Sequence, residues 1–237
     1  MPRTDAPAPP PDSRARLFAA ASAEFAARGF DDTSVDDIAR RAGLNKAMIY
    51  YHFDGKRGLY LDILQDLMRA IGDRTGDIAA GTQPPHEKLL AFVDAFSAEA
   101  DARPHLPFLM VREMADGARR IDDGTKRLMA RVIGNLATIL TEGVAAGVFR
   151  HADPFVVYLS LIAPVVMFRV TAPVREALAR EPYAPPIVPD RETFITHVKL
   201  GALAALNLGA RRPLDLVPPP PAQPRRPRRT TRSGARS

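Results

Sequence analysis

The stretch GFDDTSVDDIARRAGLNKAMIYYHFDGKRGLY, residues 29–60, holds two short apolar-periodic segments separated by a glycine. In the first, Val35, Ile38, Ala39 and Ala42 recur at the i, i+3, i+4, i+7 spacing of one helix face. Ser34 stands just before them with Asp37 three positions on, a shortened capping box that satisfies free amide donors at a helix start. Gly43 interrupts and Asn45 can cap again, so residues 46–53 read as a second short helix. Ile49 and Phe53, four apart, then point inward with Ile38 and Ala42, which leaves Lys46, Ala47, Tyr50 and Tyr51 on the outer side. Two short helices, a tight turn, and a polar and aromatic outer face on the second: this is the pattern of a helix-turn-helix.

Outward from it, helical spacing continues almost everywhere. A first helix is expected from residue 12 or 13 to 28, with Leu17, Phe18, Ala21 and Phe25 on one face; Gly29 suits the left-handed position that ends it and Phe30 can pack back. Asp54 is expected to cap a helix from 55 to about 74, with inner stripes Leu59, Ile63, Leu67, Ile71 and Tyr60, Leu64, Met68. Further helices are expected at 85–102, 107–118, 125–147, 154–171 and 191–208, the fourth of these announced by Asp153 followed by Pro154. No run alternates apolar and polar residues as a strand would. The expected fold class is all-α, an N-terminal helix-turn-helix head followed by a larger helical domain.

Composition narrows the function. The 237 residues contain no cysteine, which removes disulfides, thiolate nucleophiles and thiolate zinc sites together. The net charge of +6 is matched by six arginines after Pro224 with no acid among them, so the rest of the chain is neutral and a nucleic-acid argument must rest on local charge. The apolar run at 156–168 is too short to span a bilayer, and the amino terminus has no apolar segment to act as a secretory signal; a cytoplasmic protein without a membrane partner is expected. Residues 1–11 are proline-rich and 211–237 rich in proline and arginine, and both are expected to be disordered. The tail PRRPRRTTR, 224–232, reads as a solvated charge run, with a DNA contact left open. His52, His86, His105, His151 and His197 show no metal-ligand spacing, and no carboxylate or nucleophile is spaced to partner His52, so neither a cofactor nor enzymatic activity is expected.

The outer face of the second short helix suits DNA. Lys46 can reach a base edge or phosphate, Ala47 and Met48 can meet a thymine methyl, and tyrosine hydroxyls or a histidine can donate to phosphate oxygens. Lys56 falls in the first turn of the next helix, where amide dipoles favour an anion. Arg40, Arg41, Lys46, Lys56 and Arg57 face Asp54 alone in this strip. His52 could instead be an inward hydrogen-bonding residue. The Thr33-Ser34 start, Asp37-Ile38-Ala39, Ala42-Gly43, Tyr50 to Phe53 and Lys56 together make residues from about 12 to 60 resemble the DNA-binding head of the TetR family of bacterial transcriptional regulators. The resemblance implies that Thr33 or Ser34, Asn45, Lys46, Ala47, Met48, Tyr50, Tyr51, His52 and Lys56 approach DNA, mostly at phosphates. Asn45, where a serine is more usual, and Met48, where a small or polar residue is common, depart from the family pattern.

Beyond residue 60 the resemblance is more general and implies a variable helical domain that binds a small effector and dimerises. It divides the chain into a DNA-binding part at 12–58 and an effector-binding and dimerisation part at 59–210. Phe92, Phe96, Phe108, Met110, Glu113, Met114, Met129, Ile133 and Phe168 are the candidate effector contacts, implying a largely hydrophobic ligand. Arg112, Glu113 and Arg169 could pair with a polar group of a ligand, with each other or with solvent. Tyr158, Leu161, Ile162 and Val165 with Val198, Gly201, Ala202 and Ala205 are the candidate dimer contacts; the alternative is that they complete the protomer's own core. The function expected is that of a homodimeric repressor that leaves its operator when an effector binds. The alternative is an effector-independent DNA-binding or nucleoid-organising protein.

Overall fold

A computed structural model describes residues 12–182 and 190–207, and among these ten helices occur and no strand. The expected arm at 1–11 and tail at 211–237 lie outside the described residues. Helix α1 (Ser13–Arg28), α2 (Val35–Ala42) and α3 (Ala47–Phe53) form the head with the start of α4 (Gly55–Ala80). The body continues with α5 (Pro85–Ala102), α6 (Leu106–Ala115), α7 (Asp123–Ala145), α8 (Pro154–Val170), α9 (Ala172–Leu178) and α10 (Arg191–Leu206).

The head follows its capping signals. Ser34 accepts from the Asp37 amide and its hydroxyl donates to the Asp37 carboxylate, which holds that carboxyl below the usual aspartate range. Gly43, at φ 63°, is left-handed and lets the chain reverse between α2 and α3, and the Asn45 side chain takes the Ala47 amide. Asp54 departs from expectation: it makes no side-chain cap for α4 and is itself left-handed, at φ 56°, joining α3 to α4 without a linker.

Helix α4 runs past its expected end near 74. Gly72 and Gly76 are where Arg131 and Asn135 of α7 approach the helix, Asn135 donating to Gly72 O and Thr75 Oγ1 at 2.9 Å each. The Lys88 ammonium, buried, donates to Ala79 O at 2.9 Å and to Glu142 Oε2 at 2.7 Å, tying the C-terminal end of α4 to α5 and α7. Helix α7 has the length and apolar composition to cross a membrane, but packs along α4, α5 and α8 as a helix of the body. Asp153 caps α8 through the Phe155 and Val156 amides, as its place before Pro154 predicts. The short α9 is not foreseen; Pro173 lies at its start, where a missing amide costs nothing.

The core is continuous from head to body. Leu17, Phe25, Ile38, Ile49, Leu59, Ile63, Leu64, Ile71, Phe92 and Leu136 are all fully buried, each side chain contributing about 1.5–3 kcal/mol of apolar burial.

Candidate nucleic-acid interface

Ile49 and Phe53 face the core and fix the phase of α3, which turns Tyr50 and Tyr51, 60% and 70% exposed, to solvent beside exposed Asn45, Lys46 and Ala47. Exposed tyrosines at this level are unusual for apolar rings, and their hydroxyls are free to donate to phosphates. Lys46 Nζ lies 3.1 Å from Asp36 of α2. Met48 is half-buried and packs on the core, so only part of it is available outside.

Three expected contacts have structural work inside the head. Thr33 is 1% exposed and its hydroxyl donates to Gly29 O at 2.7 Å and Glu24 O at 3.3 Å, closing the end of α1, and Ser34 is the exposed member of the pair. His52 is half-buried, its Nε2 2.7 Å from Ser13 Oγ, so that it fastens α3 to the first residue of α1. Lys56 donates to Asp31 O at 3.3 Å with its ammonium 4.3 Å from the Phe30 ring centroid, and partial burial holds its pKa below the ordinary lysine value. Ser13 and Arg14 were not singled out in the sequence, yet Arg14 lies 5.0 Å over the Phe53 ring and 2.7 Å from Asp62. Only contacts across 39 or more residues reveal these roles.

Residues 12–58 carry eight basic and seven acidic side chains, close to balance. Most of the head's cations are paired, Arg41 with Glu24 at 3.0 Å and Arg40 with Asp37 among them.

The candidate effector contacts differ in their surroundings. Phe92 and Phe96 are packed in the core, Met114 is exposed, and Phe168 stacks on Phe194 at 4.4 Å and under Arg175 at 3.9 Å. Phe108, Met110, Met129 and Ile133 are half-buried, the last three against the core. Glu113, fully buried, is engaged by Tyr60 Oη at 2.8 Å and by Arg120. It borders a cleft of about 250 Å³ where α1, α4 and α6 meet, walled by Phe25, Phe30, Tyr60 and Arg112. Arg112 donates to Ala27 O and Arg169 pairs with Asp101, so both of these charges are used within the protein.

The candidate dimer contacts are likewise divided. Tyr158, Leu161, Ile162, Val165, Val198 and Ala202 are buried within the protomer, where burial pushes the Tyr158 hydroxyl up to about 12; Gly201 and Ala205 are exposed. The phase of α8 and α10 is therefore turned from the expected one. Val156, Leu159 and Met167 on α8 and Leu200 on α10 form the outward apolar face. Among the described residues no group of three His, Asp or Glu side chains is placed to hold a metal ion.

A two-helix reader with an inward anchor and outward tyrosines, carried on a long helix into a larger helical domain, defines a helix-turn-helix DNA-binding transcriptional regulator. Residues 17–63 match the family model for bacterial regulatory proteins of the tetR family, and residues 85–182 the model for the tetracyclin repressor-like C-terminal domain. The chain is 32% identical over 153 residues to the HTH-type transcriptional repressor KstR2 of Mycolicibacterium smegmatis, covering 62% of this chain and 72% of that protein. It is 35% identical over 88 residues to the HTH-type transcriptional activator FasR of the same organism, covering 37% and 40%. The fold is shared with the fatty acid degradation regulator FadR from Bacillus halodurans, at a TM-score of 0.64 with 18% identity over 86% of this chain and 99% of that one. It is shared also with the ketosteroid transcriptional regulator KstR2 of Mycobacterium tuberculosis, at 0.62 and 21% over 84% and 97%. The chain belongs to the TetR family.

Proposed function

We propose that the protein is a cytoplasmic, homodimeric repressor that grips an operator with two heads and releases it when a small, largely apolar effector binds the body. The observation that carries the reading is the division of α3 by phase, Ile49 and Phe53 inward, Tyr50 and Tyr51 outward. Residues 12–58 would bind DNA and 59–210 bind effector and dimerise, with no enzymatic step. The sign follows KstR2 of M. smegmatis, named a repressor, which matches far more of the chain than the activator FasR does. Dimerisation is supported by the outward face of Val156, Leu159, Met167 and Leu200, beside exposed Gly201, Ala204 and Ala205, where another helix can approach closely. Effector binding would favour one arrangement of the heads over another by its differential affinity for the two.

The test uses a duplex selected from a random-sequence library with the protein itself. Tyr51→Phe and Lys46→Ala should each weaken binding about 5–10-fold through one lost phosphate contact, with the melting temperature unchanged because both side chains are exposed. Because Lys46 must leave Asp36 to meet a phosphate, Lys46→Ala should lower the log-log salt slope by less than one. Wild-type affinity from both variants would sink the contact assignment, and equal affinity for selected and random duplex at matched salt would favour the nucleoid-organising alternative.

A further inference from the structure

The head is joined to the body covalently only through α4, and a single helix leaves the head free to swing and roll unless other contacts hold it. Beside the packing of Phe25 on Tyr60 and the bond from Arg112 to Ala27 O, several polar contacts that do so meet at Arg120, in the loop between α6 and α7. Its side chain is 15% exposed. One guanidinium nitrogen lies 2.7 Å from Asp116 Oδ2 and 3.3 Å from Glu113 Oε2; the other binds Asp31, in the loop between α1 and α2 of the head. The guanidinium carbon stands 5.2 Å from the Phe30 ring centroid, also in the head. The Arg120 amide donates to Glu113 Oε1 at 2.8 Å, and Tyr60 of α4 donates to Glu113 Oε2 at 2.8 Å. One cation thus bridges two body carboxylates, a head carboxylate and a head ring, and its buried partner Glu113 is at the same time bonded to the linking helix.

We propose that Arg120 is a positioning residue for operator recognition: by binding Asp31 of the head while held by Glu113 and Asp116 of the body, it locks the head's orientation and thereby sets the half-site spacing the protein accepts. The planar fork of arginine serves two carboxylate directions at once, which a point charge cannot do. Glu113 is fully buried and holds Arg120 out of reach of screening, whereas Asp31 lies at the surface, so the part of the cluster that crosses to the head weakens as salt rises. The Asp31 loop also carries Lys56 on its carbonyl and on the Phe30 ring. The latch therefore places a candidate phosphate contact together with the head. Because successive base pairs stand about 3.4 Å apart, small rotations of two heads suffice to change which spacing fits.

The inference rests on the two-headed reading proposed above, and the experiment separates the two. Duplexes carrying the selected half-sites at the selected spacing, at spacings changed by one and two base pairs, and as a single half-site are titrated with wild type, Asp31→Asn and Arg120→Ala. The expected wild-type penalty for a wrong spacing is about tenfold or more, falling to about threefold or less in both variants, with single half-site affinity unchanged within about twofold. Ethylguanidinium, at ionic strength matched with sodium chloride, should restore discrimination to Arg120→Ala and not to Asp31→Asn. Spacing profiles of both variants that superimpose on wild type overturn the proposal. Asp31, whose side chain is 73% exposed, can be changed without disturbing the core, so Asp31→Asn decides the matter if Arg120→Ala fails to fold.

A wild type that binds one half-site as tightly as two removes the two-headed reading instead. The latch is then read within one protomer. The chain has no cysteine, so spin labels placed by Ala19→Cys in the head and Thr138→Cys on α7, diluted with unlabelled chain, report the head-to-body distance alone. Its distribution should broaden when Asp31→Asn is added, and an unchanged width overturns the latch.

Discussion

Replacing Gly58 by alanine should abolish operator binding, by at least about 100-fold, while the body stays folded. Gly58 sits in the first turns of α4, and a Cβ there would stand 1.7 Å from Phe53 O and 2.9 Å from Phe53 C, backbone atoms at the end of α3. Backbone cannot rotate aside as a side chain can, so α3 must move off α4, carrying Tyr50, Tyr51 and the Ile49 anchor with it. Overpacking of this kind costs about 1–3 kcal/mol and occasionally more, and here the whole displacement falls on α3, the helix proposed to read DNA. The matched control is Gly134→Ala on α7, where nothing lies within 4 Å of the added methyl. That change should raise stability by about 0.5–1 kcal/mol. Titration of the selected duplex beside thermal unfolding distinguishes the two, and full binding by Gly58→Ala would show that α3 does not need its present seat.

The second large effect is expected from Phe25→Ala. Phe25 is fully buried on α1, its ring 5.1 Å from Tyr60 edge-on and 5.8 Å from Phe30. Removing it should cost about 3–5 kcal/mol, cavity and transfer terms together, a large part of a total stability of about 5–15 kcal/mol. Position makes the loss more than a loss of core. Phe25 packs where head, α4 and α6 meet, and the ring of Phe30 that it supports carries both Lys56 and Arg120. Urea unfolding measures the stability term. A loss below about 1 kcal/mol would mean that the joint does not depend on the aromatic cluster.

The head was legible because its signals are local. Ser34 with Asp37, Gly43 and Asn45 each bond within a few residues of themselves, so their spacing in sequence is their geometry in space. Helix α3 added a clear phase, with polar residues on one side to show which way is out. Helix α8 offered no such contrast: nearly every residue is apolar, and the side facing α5, α7 and α10 could not be told from the side left open. The candidate dimer set consequently took Tyr158, Leu161 and Ile162 where the outward residues are Val156, Leu159 and Met167. Aromatic and methionine content marked the body's interior without saying which side chains share a wall. The continuation of α4 past residue 74, through Gly76, was hidden for a related reason, since what Gly76 accommodates comes from α7 more than fifty positions later. Arg120 and Asp31 meet across 89 residues, beyond any local pattern.

The pairing of the head's cations bears on how the regulator finds its target among millions of random sequences. Arg14 holds Asp62, Arg41 holds Glu24, Lys46 holds Asp36 and Lys56 rests on a carbonyl. A phosphate must therefore displace a carboxylate or carbonyl to gain each of them, and on arbitrary DNA the exchange brings little net release of counterions. Chance encounters should be short-lived, dissociation quick, and only a sequence that also satisfies Tyr50, Tyr51 and the outer face of α3 should hold the protein long enough to matter to a polymerase.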